Sequence, residues 1–312
     1  MPSSTNLWMS LAGLLYLLAG MFFLRKEISV SVPRGRSESR PVGKDDFAAR
    51  GWDKLIVLGP VFIAVSLAAF APEHFRRRGP EYIQSMAPSW MPARWFWPDF
   101  IGCALLAAAT SLTVRKFVRL SSTLLGLMFL LFVCMIYLPS ALWHLHNRFA
   151  WTFALRDLSF SAGAWALAGL YWRRSSPQLS KCMILFARIV IAIAAIFYGV
   201  VHFLHPQFAP GVPLGKLMPS WVPFPSVWAY LAGAILLSAG IALALNKKSR
   251  LAAASIGALM TFFTVFLYMV ILILALGGSV AEINEAINYV ADTLLFAGSA
   301  LALASALPDL RH

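Results

Sequence analysis

Charge is scarce in this sequence: only 12% of its 312 residues are Asp, Glu, Lys or Arg, while 60% are hydrophobic. Soluble domains carry about 25% charged and roughly 45 to 50% apolar residues, so a soluble globular protein is excluded. Cysteine is rarer still. The three present, Cys103, Cys134 and Cys182, show no CxxC spacing, which excludes a disulfide framework and a zinc site. They are expected as small core residues. There is no Gly-rich phosphate loop, no HExxH and no GxSxG. Residues 1–6 lack the basic side chains that open a secretory signal, so the first apolar run is read as a permanent anchor.

What is present is apolar length. Runs near the roughly 20 residues needed to cross about 30 Å of hydrocarbon centre on residues 7–24, 55–75, 97–114, 120–142, 153–171, 183–204, 227–245, 252–277 and 287–307. They lack the alternation of barrel strands, and only helices satisfy their own backbone in lipid. The expected fold is an all-α integral membrane protein with nine transmembrane helices. Its net charge of +13 would suggest nucleic acid in a soluble chain, but here every second loop is basic: Arg25 to Lys54, Arg115 to Arg119, Arg173 to Lys181, Lys247 to Arg250, and Arg311. The positive-inside rule makes those loops cytoplasmic. This predicts a multi-pass protein of the cell membrane, N-terminus outside and C-terminus inside, with lipid rather than nucleic acid as its surroundings. Arg76, Arg77 and Arg78 run against that assignment.

The chain also contains its own copy. Shifted by 131 residues without a gap, Pro88 to Tyr137 matches Pro219 to Tyr268 at sixteen of fifty positions, including Pro88, Ser89, Trp90, Pro92, Trp97, Gly102, Lys116, Gly126 and Tyr137. Apolar bias alone would repeat Leu and Ala, not Pro-Ser-Trp-x-Pro, so two copies of one supersecondary unit are expected. The chain divides into an anchor helix (1–25), a basic cytoplasmic linker (26–52), a first four-helix repeat (53–172) and a second (181–307). An even number of spans makes the repeats parallel. Each is expected to be a compact four-helix unit, with a proline- and tryptophan-rich loop after its first span and a tight basic turn, RKFVR or NKKSR, between its second and third.

Charges within spans cost at least about 2.5 kcal/mol each, and few are present. Asp157 and Asp292 sit six residues before Gly163 and Gly298 in the last span of each repeat. His74 and His202 close the first spans at the same depth. Tyr137 and Tyr268 are equivalent in the third spans, and Trp228 stands at the same interface. One His and Asp cluster per repeat is therefore expected, with His202 (or His205) as the partner of Asp292. Arg156 would neutralise Asp157, which makes the second repeat the better candidate. A carboxylate can orient an imidazole as a donor to a quinone carbonyl or as a proton carrier. The alternative is a polar cluster that only locks helix ends. His202 with His205, and His144 with His146, make no strong metal or bis-histidine haem site, so neither metal nor haem is expected.

The run GVVHFLHPQF, followed by LMPSWVP, VWAYLAGAILLSAGIAL and NKKSRLAAA, resembles the DoxX-like family of four-helix membrane proteins. Residues 53–172 resemble it through His74, PSWMP and IGCALL. The whole is similar to a fused double DoxX-like protein with one extra helix. That family is functionally mixed and includes a subunit of thiosulfate-quinone oxidoreductase and a membrane partner in an oxidative-stress complex. The resemblance implies a quinone- or lipophile-binding accessory subunit of a membrane redox system, with quinone as ligand and a redox protein as partner. A non-catalytic scaffold or assembly factor and a small-molecule transporter stay open. Members often carry an acidic residue after the glycine of the second helix; here Gly102 and Gly233 are followed by Cys103 and Ala234.

Overall fold

The computed structural model describes residues 51–75 and 91–308, and the chain over these residues is built from eight long helices. They are α1 (Gly59–His74, continued from a short helical stretch that begins at Gly51), α2 (Phe96–Val114), α3 (Val118–Trp143), α4 (Arg148–Trp172), α5 (Pro177–Leu204), α6 (Pro225–Ala244), α7 (Ser249–Ala275) and α8 (Val280–Ala306). Among the described residues there is no strand, only an isolated antiparallel bridge between Phe208 and Leu217. The fold is that of an all-α membrane protein. Among the described residues, seven helices are long and apolar enough to cross a membrane. The eighth, α4, is 25 residues long but carries Arg156 and Asp157 in its middle, which lowers its hydropathy. The expected span at residues 7–24 and the linker at 26–52 lie outside the described residues.

The 131-residue offset recurs in the backbone. The regular part of α3, Val118–Phe132, corresponds end for end to Ser249–Phe263 of α7. In both, one π-helical turn follows, Val133–Tyr137 and Thr264–Tyr268, and closes on the equivalent tyrosine. Left-handed residues recur in pairs: Ala93 with Phe224, Arg115 with Asn246, and Phe117 with Lys248. Such conformations cost about 1 kcal/mol or more in a side-chain-bearing residue, so their pairing marks a shared turn rather than chance. The tryptophan loops repeat too: Trp97 Nε1 donates to the Pro92 carbonyl at 2.8 Å, and Trp228 Nε1 to that of Pro223 at 3.1 Å.

The repeats interlock. Within each, the first helix packs on the second and the third on the fourth. The first helix of one repeat, however, leans on the last helix of the other: α1 against α8 and α5 against α4. The two last helices, α4 and α8, pack on each other. The eight helices therefore form a closed ring with α4 and α8 across its middle, not two separate bundles. Glycine makes the crossings possible. A Cβ on Gly163 would collide with Ser299, and one on Gly298 would lie 2.9 Å from the Gly59 carbonyl oxygen. Without a hydrophobic force between helices in lipid, such close backbone approach is a main source of association.

The exposed residues correct one expectation. Cys103, Cys134 and Cys182 are all exposed, beside Phe100, Leu131, Met135 and Leu185 on the apolar outer face. In lipid a small apolar thiol has no need of the core.

Candidate functional site

The polar centre lies where α4 and α8 pack together. Arg156 Nε donates to Asp157 Oδ1 at 2.7 Å, and Arg156 Nη1 donates to Asp292 Oδ2 at 3.1 Å. One guanidinium thus bridges the equivalent carboxylates of the two repeats. The Phe153 and Phe160 rings lie 5.0 and 5.8 Å from it, distances at which a ring face attracts a cation. Asp157 and Asp292 are only 4% and 5% exposed. Isolated charges at that burial would be very costly, and pairing with hydrogen bonds is what makes them tolerable. The structure therefore replaces two His and Asp clusters with a single Asp-Arg-Asp cluster.

This cluster lines a cavity of about 390 Å³. Around it stand Glu73 and His74 from α1, Tyr137 from α3, Arg156 and Asp157 from α4, and Asn288, Tyr289 and Asp292 from α8, with Phe70, Ile101, Phe132 and Phe160 as apolar wall. The elements explain the convergence. The π turn ends at Tyr137, and such turns inside helices are frequent at functional sites. Asn288 lies one turn before Asp292 and so shares its face. Asn288 Nδ2 donates to both carboxylate oxygens of Glu73 at 3.1 Å, which ties α8 to α1. Glu285, also in the lining, is paired with Lys216 at 2.8 Å.

Among the residues that line the cavity, two have a buried oxygen with no protein donor: Asp292 Oδ1 and Asn288 Oδ1. His74 also lines the cavity. Its Nδ1 lies 3.1 Å from the Phe70 carbonyl; a carbonyl can only accept, so Nδ1 carries a proton.

Of the sequence candidates, His74, Tyr137, Asp157 and Asp292 share this cavity, whereas His202, Tyr268 and Trp228 do not line it. His202 is fully buried, its Nδ1 donates to the Tyr198 carbonyl at 2.6 Å, and its Nε2 has no partner. The expected bond between His202 and Asp292 is absent: the His202 N–H goes to a carbonyl of its own helix, and Asp292 Oδ2 accepts from Arg156. Neutral His202 could not donate to a quinone carbonyl either, since its one N–H is already committed. His205, the other partner considered, lies in the loop after α5. Partial burial and the nearby Arg148 guanidinium hold its pKa below the ordinary imidazole value.

Tyr268 stands one ring behind the wall, stacked on Tyr289 at 5.8 Å, with its hydroxyl donating to the Ala209 carbonyl at 3.3 Å. The loop that reaches it is buried from Ala209 to Leu214. The Val212 carbonyl accepts from Thr293, and that of Leu214 from Arg148. In the second repeat this loop seats on Tyr268 and Thr293, and its Pro213 forms part of the cavity wall. The cavity thus takes residues from both repeats, not from the second alone.

A second, apolar cavity of about 520 Å³ runs between α2 and α3 of the first repeat and shares Ile101 and Phe132 with the polar one. It extends from Trp97 past Ala104 and Ala108 to Ser121, with Leu131 and Met135 along one side. Eleven residues of α2 separate Trp97 from Ala108, which is about 16 Å at 1.5 Å per residue. At the equivalent positions the second repeat has Ile235, Phe262 and Phe266 for Ala104, Leu131 and Met135, and Trp228 stacks on Phe262 at 5.9 Å.

Glu73, Asn288 and Arg156 were not among the sequence candidates. Glu73 precedes His74 directly and Asn288 is four residues before Asp292, so helical spacing could have found both. The reach of Arg156 to the other repeat had no signal, because its sequence neighbour Asp157 offered a sufficient partner.

These features define a polytopic α-helical membrane protein, internally duplicated, with one buried polar site at the junction of its repeats. Comparison with known families narrows this further. The model of the DoxX family matches residues 183–269, from early in α5 to just past the π turn of α7, so the second repeat carries a DoxX domain, consistent with a DoxX-like membrane protein. No curated protein and no solved structure matches the chain.

Proposed function

We propose that this protein binds a quinone, or a lipophile of the same build, and serves as an accessory subunit of a membrane redox system. The observation that carries the reading is the adjacency of the two cavities, which share Ile101 and Phe132 in their walls. A polar chamber of head-group size stands beside an apolar groove of tail shape, an arrangement suited to an amphiphile with a flat polar ring and an isoprenoid or acyl chain. Ligand sites are typically mostly apolar concavities with a few convergent polar groups. The positive-inside rule applied to the turns at Arg115–Arg119 and Lys247–Arg250 puts the polar chamber near the outer face of the cell membrane. A redox protein partner on that side would supply or accept electrons.

The test is to purify the protein in lipid nanodiscs, extract and identify bound lipophiles by mass spectrometry, and titrate a short-chain benzoquinone. Co-purified quinone and saturable binding are expected. If the protein carries no lipophile and binds no analogue, the polar cluster is a helix lock and a scaffold role replaces this reading.

A further inference from the structure

We infer that Tyr137 is the residue that recognises the ligand, its hydroxyl donating to a ring carbonyl of the bound molecule; this rests on the quinone reading above and specifies it. The second repeat supplies the precedent. There the equivalent tyrosine, Tyr268, closes the equivalent π turn, is 1% exposed, and donates its hydroxyl to the Ala209 carbonyl at 3.3 Å. The segment that brings this carbonyl is pressed onto the phenol, since a Cβ on Gly211 would lie 2.6 Å from Tyr268 Oη. The second repeat thus fills the space before its own tyrosine with backbone. In the first repeat the same turn delivers Tyr137 to the wall of the polar cavity. Its side chain is only half-buried, and among the described residues no carbonyl or carboxylate accepts from its hydroxyl. A phenol in apolar surroundings ordinarily finds a partner for its O–H, and here the open space lies where the second repeat has its carbonyl. Arg156 points to the same class of ligand. It lines the cavity, keeps 15% of its side chain exposed, and commits to Asp157 and Asp292 only two of the five N–H groups that a guanidinium carries. A guanidinium can only donate, so its nearness to Tyr137 leaves the phenol hydrogen free. Tyr137 and Arg156 therefore offer donors, whose complement is an acceptor such as a carbonyl oxygen. The Phe132, Phe153 and Phe160 side chains in the same wall suit the flat ring that would carry it.

The experiment uses the full chain in nanodiscs and two probes that share one short tail: a benzoquinone isotopically labelled at its carbonyl carbons, and the alkylbenzene in which methyl groups replace both carbonyl oxygens. Calorimetric titration against empty nanodiscs gives the affinities, and difference infrared spectroscopy of the labelled carbonyls reads hydrogen bonding to the bound ring. In the parent, one carbonyl band is expected at lower wavenumber than for the same quinone in empty nanodiscs. Tyr137→Phe removes only the hydroxyl. It is expected to return that band towards its unbound position and to weaken quinone binding about fivefold, the worth of one neutral hydrogen bond, while alkylbenzene binding stays unchanged. A bound carbonyl band that Tyr137→Phe leaves unmoved, or an equal loss of affinity for both probes, overturns the inference and leaves the proposed function standing. A parent that binds no quinone removes both. Replacing Tyr137 by fluorotyrosine keeps the shape of the side chain and makes its hydroxyl a stronger donor, so the band should move further down. No movement there overturns the inference even if Tyr137→Phe fails to fold.

Discussion

Arg156 Nη1 and Asp292 Oδ2 lie 3.1 Å apart although 136 residues separate them in sequence, and this single contact joins the two halves of the duplication at its centre. The position equivalent to Arg156 in the second repeat is Ala291. Copying the unit kept both carboxylates, and one guanidinium serves them. The two copies have since diverged in what surrounds the pair. The second carries Phe262 and Phe266 where the first has Leu131 and Met135 beside its apolar cavity.

Removal of that guanidinium is expected to be expensive. Arg156→Met leaves two buried carboxylates facing each other, and breaking a buried pair costs about 3–5 kcal/mol. Asp157→Asn and Asp292→Asn added to the same chain remove the orphaned charges and are expected to recover most of the loss, the non-additivity of residues in one network. Reversible unfolding in mixed detergent micelles measures all three. An Arg156→Met protein as stable as the parent would show that the cluster is solvated rather than buried.

Which parts of this arrangement were legible beforehand follows from what each residue signals locally. The helices, the equivalent tyrosines and the pairing of Asp157 with Asp292 are written in apolar length and in the identities between the repeats. The interlocking of first and last helices is not, because an offset says which residues correspond but not which copy each one touches. The π turns at Val133–Tyr137 and Thr264–Tyr268 have no composition of their own, and only the closing tyrosine is shared. The assignment of Asp292 to His202 failed because the His202 N–H is spent on the Tyr198 carbonyl of its own helix, and because Arg156, next to one carboxylate in sequence, reaches the other only in space.

Filling the groove should separate tail binding from head binding. Leu131→Phe with Met135→Phe gives the first repeat the side chains that the second already carries at those positions, so the fold is expected to survive with an unchanged unfolding midpoint. Affinity for a long-tailed quinone analogue should fall about tenfold or more, through overpacking of the space the chain would occupy. Affinity for a tail-less ring should change little. Equal loss for both ligands would mean that the groove does not hold the tail.

The crossing of α4 and α8 predicts a stability effect that has no charge in it. Gly163 faces Ser299 so closely that any Cβ meets it, so Gly163→Val should destabilise by about 1–3 kcal/mol or more through overpacking. Gly277, which has nothing within 4 Å of its would-be Cβ, is the control, and Gly277→Ala should be neutral. Ser299→Gly in the Gly163→Val background is expected to restore part of the loss, because it removes the side chain that the new methyls strike. Unchanged stability in Gly163→Val would place the two helices farther apart than the structure has them.

Orientation is the last expectation that can be measured directly, and the basic turns set its sign. Lys116 and Lys247 occupy equivalent, exposed turns between the second and third helix of each repeat, and His146 and Gly277 lie exposed in the turns at the other end. Repeats of four spans each would be parallel, which requires equivalent turns to face the same side, whatever that side is. The positive-inside rule then assigns Lys116 and Lys247 to the cytoplasm. In a chain with Cys103, Cys134 and Cys182 replaced by Ala, cysteines introduced at Lys116 and Lys247 should react with an impermeant maleimide only after the cells are opened. Cysteines at His146 and Gly277 should react in intact cells. The reverse pattern would keep the duplication and invert the protein, moving the polar chamber to the cytoplasmic face. Opposite behaviour of Lys116 and Lys247 would make the repeats antiparallel, and no rotation about the membrane normal could then relate the two carboxylates that Arg156 joins.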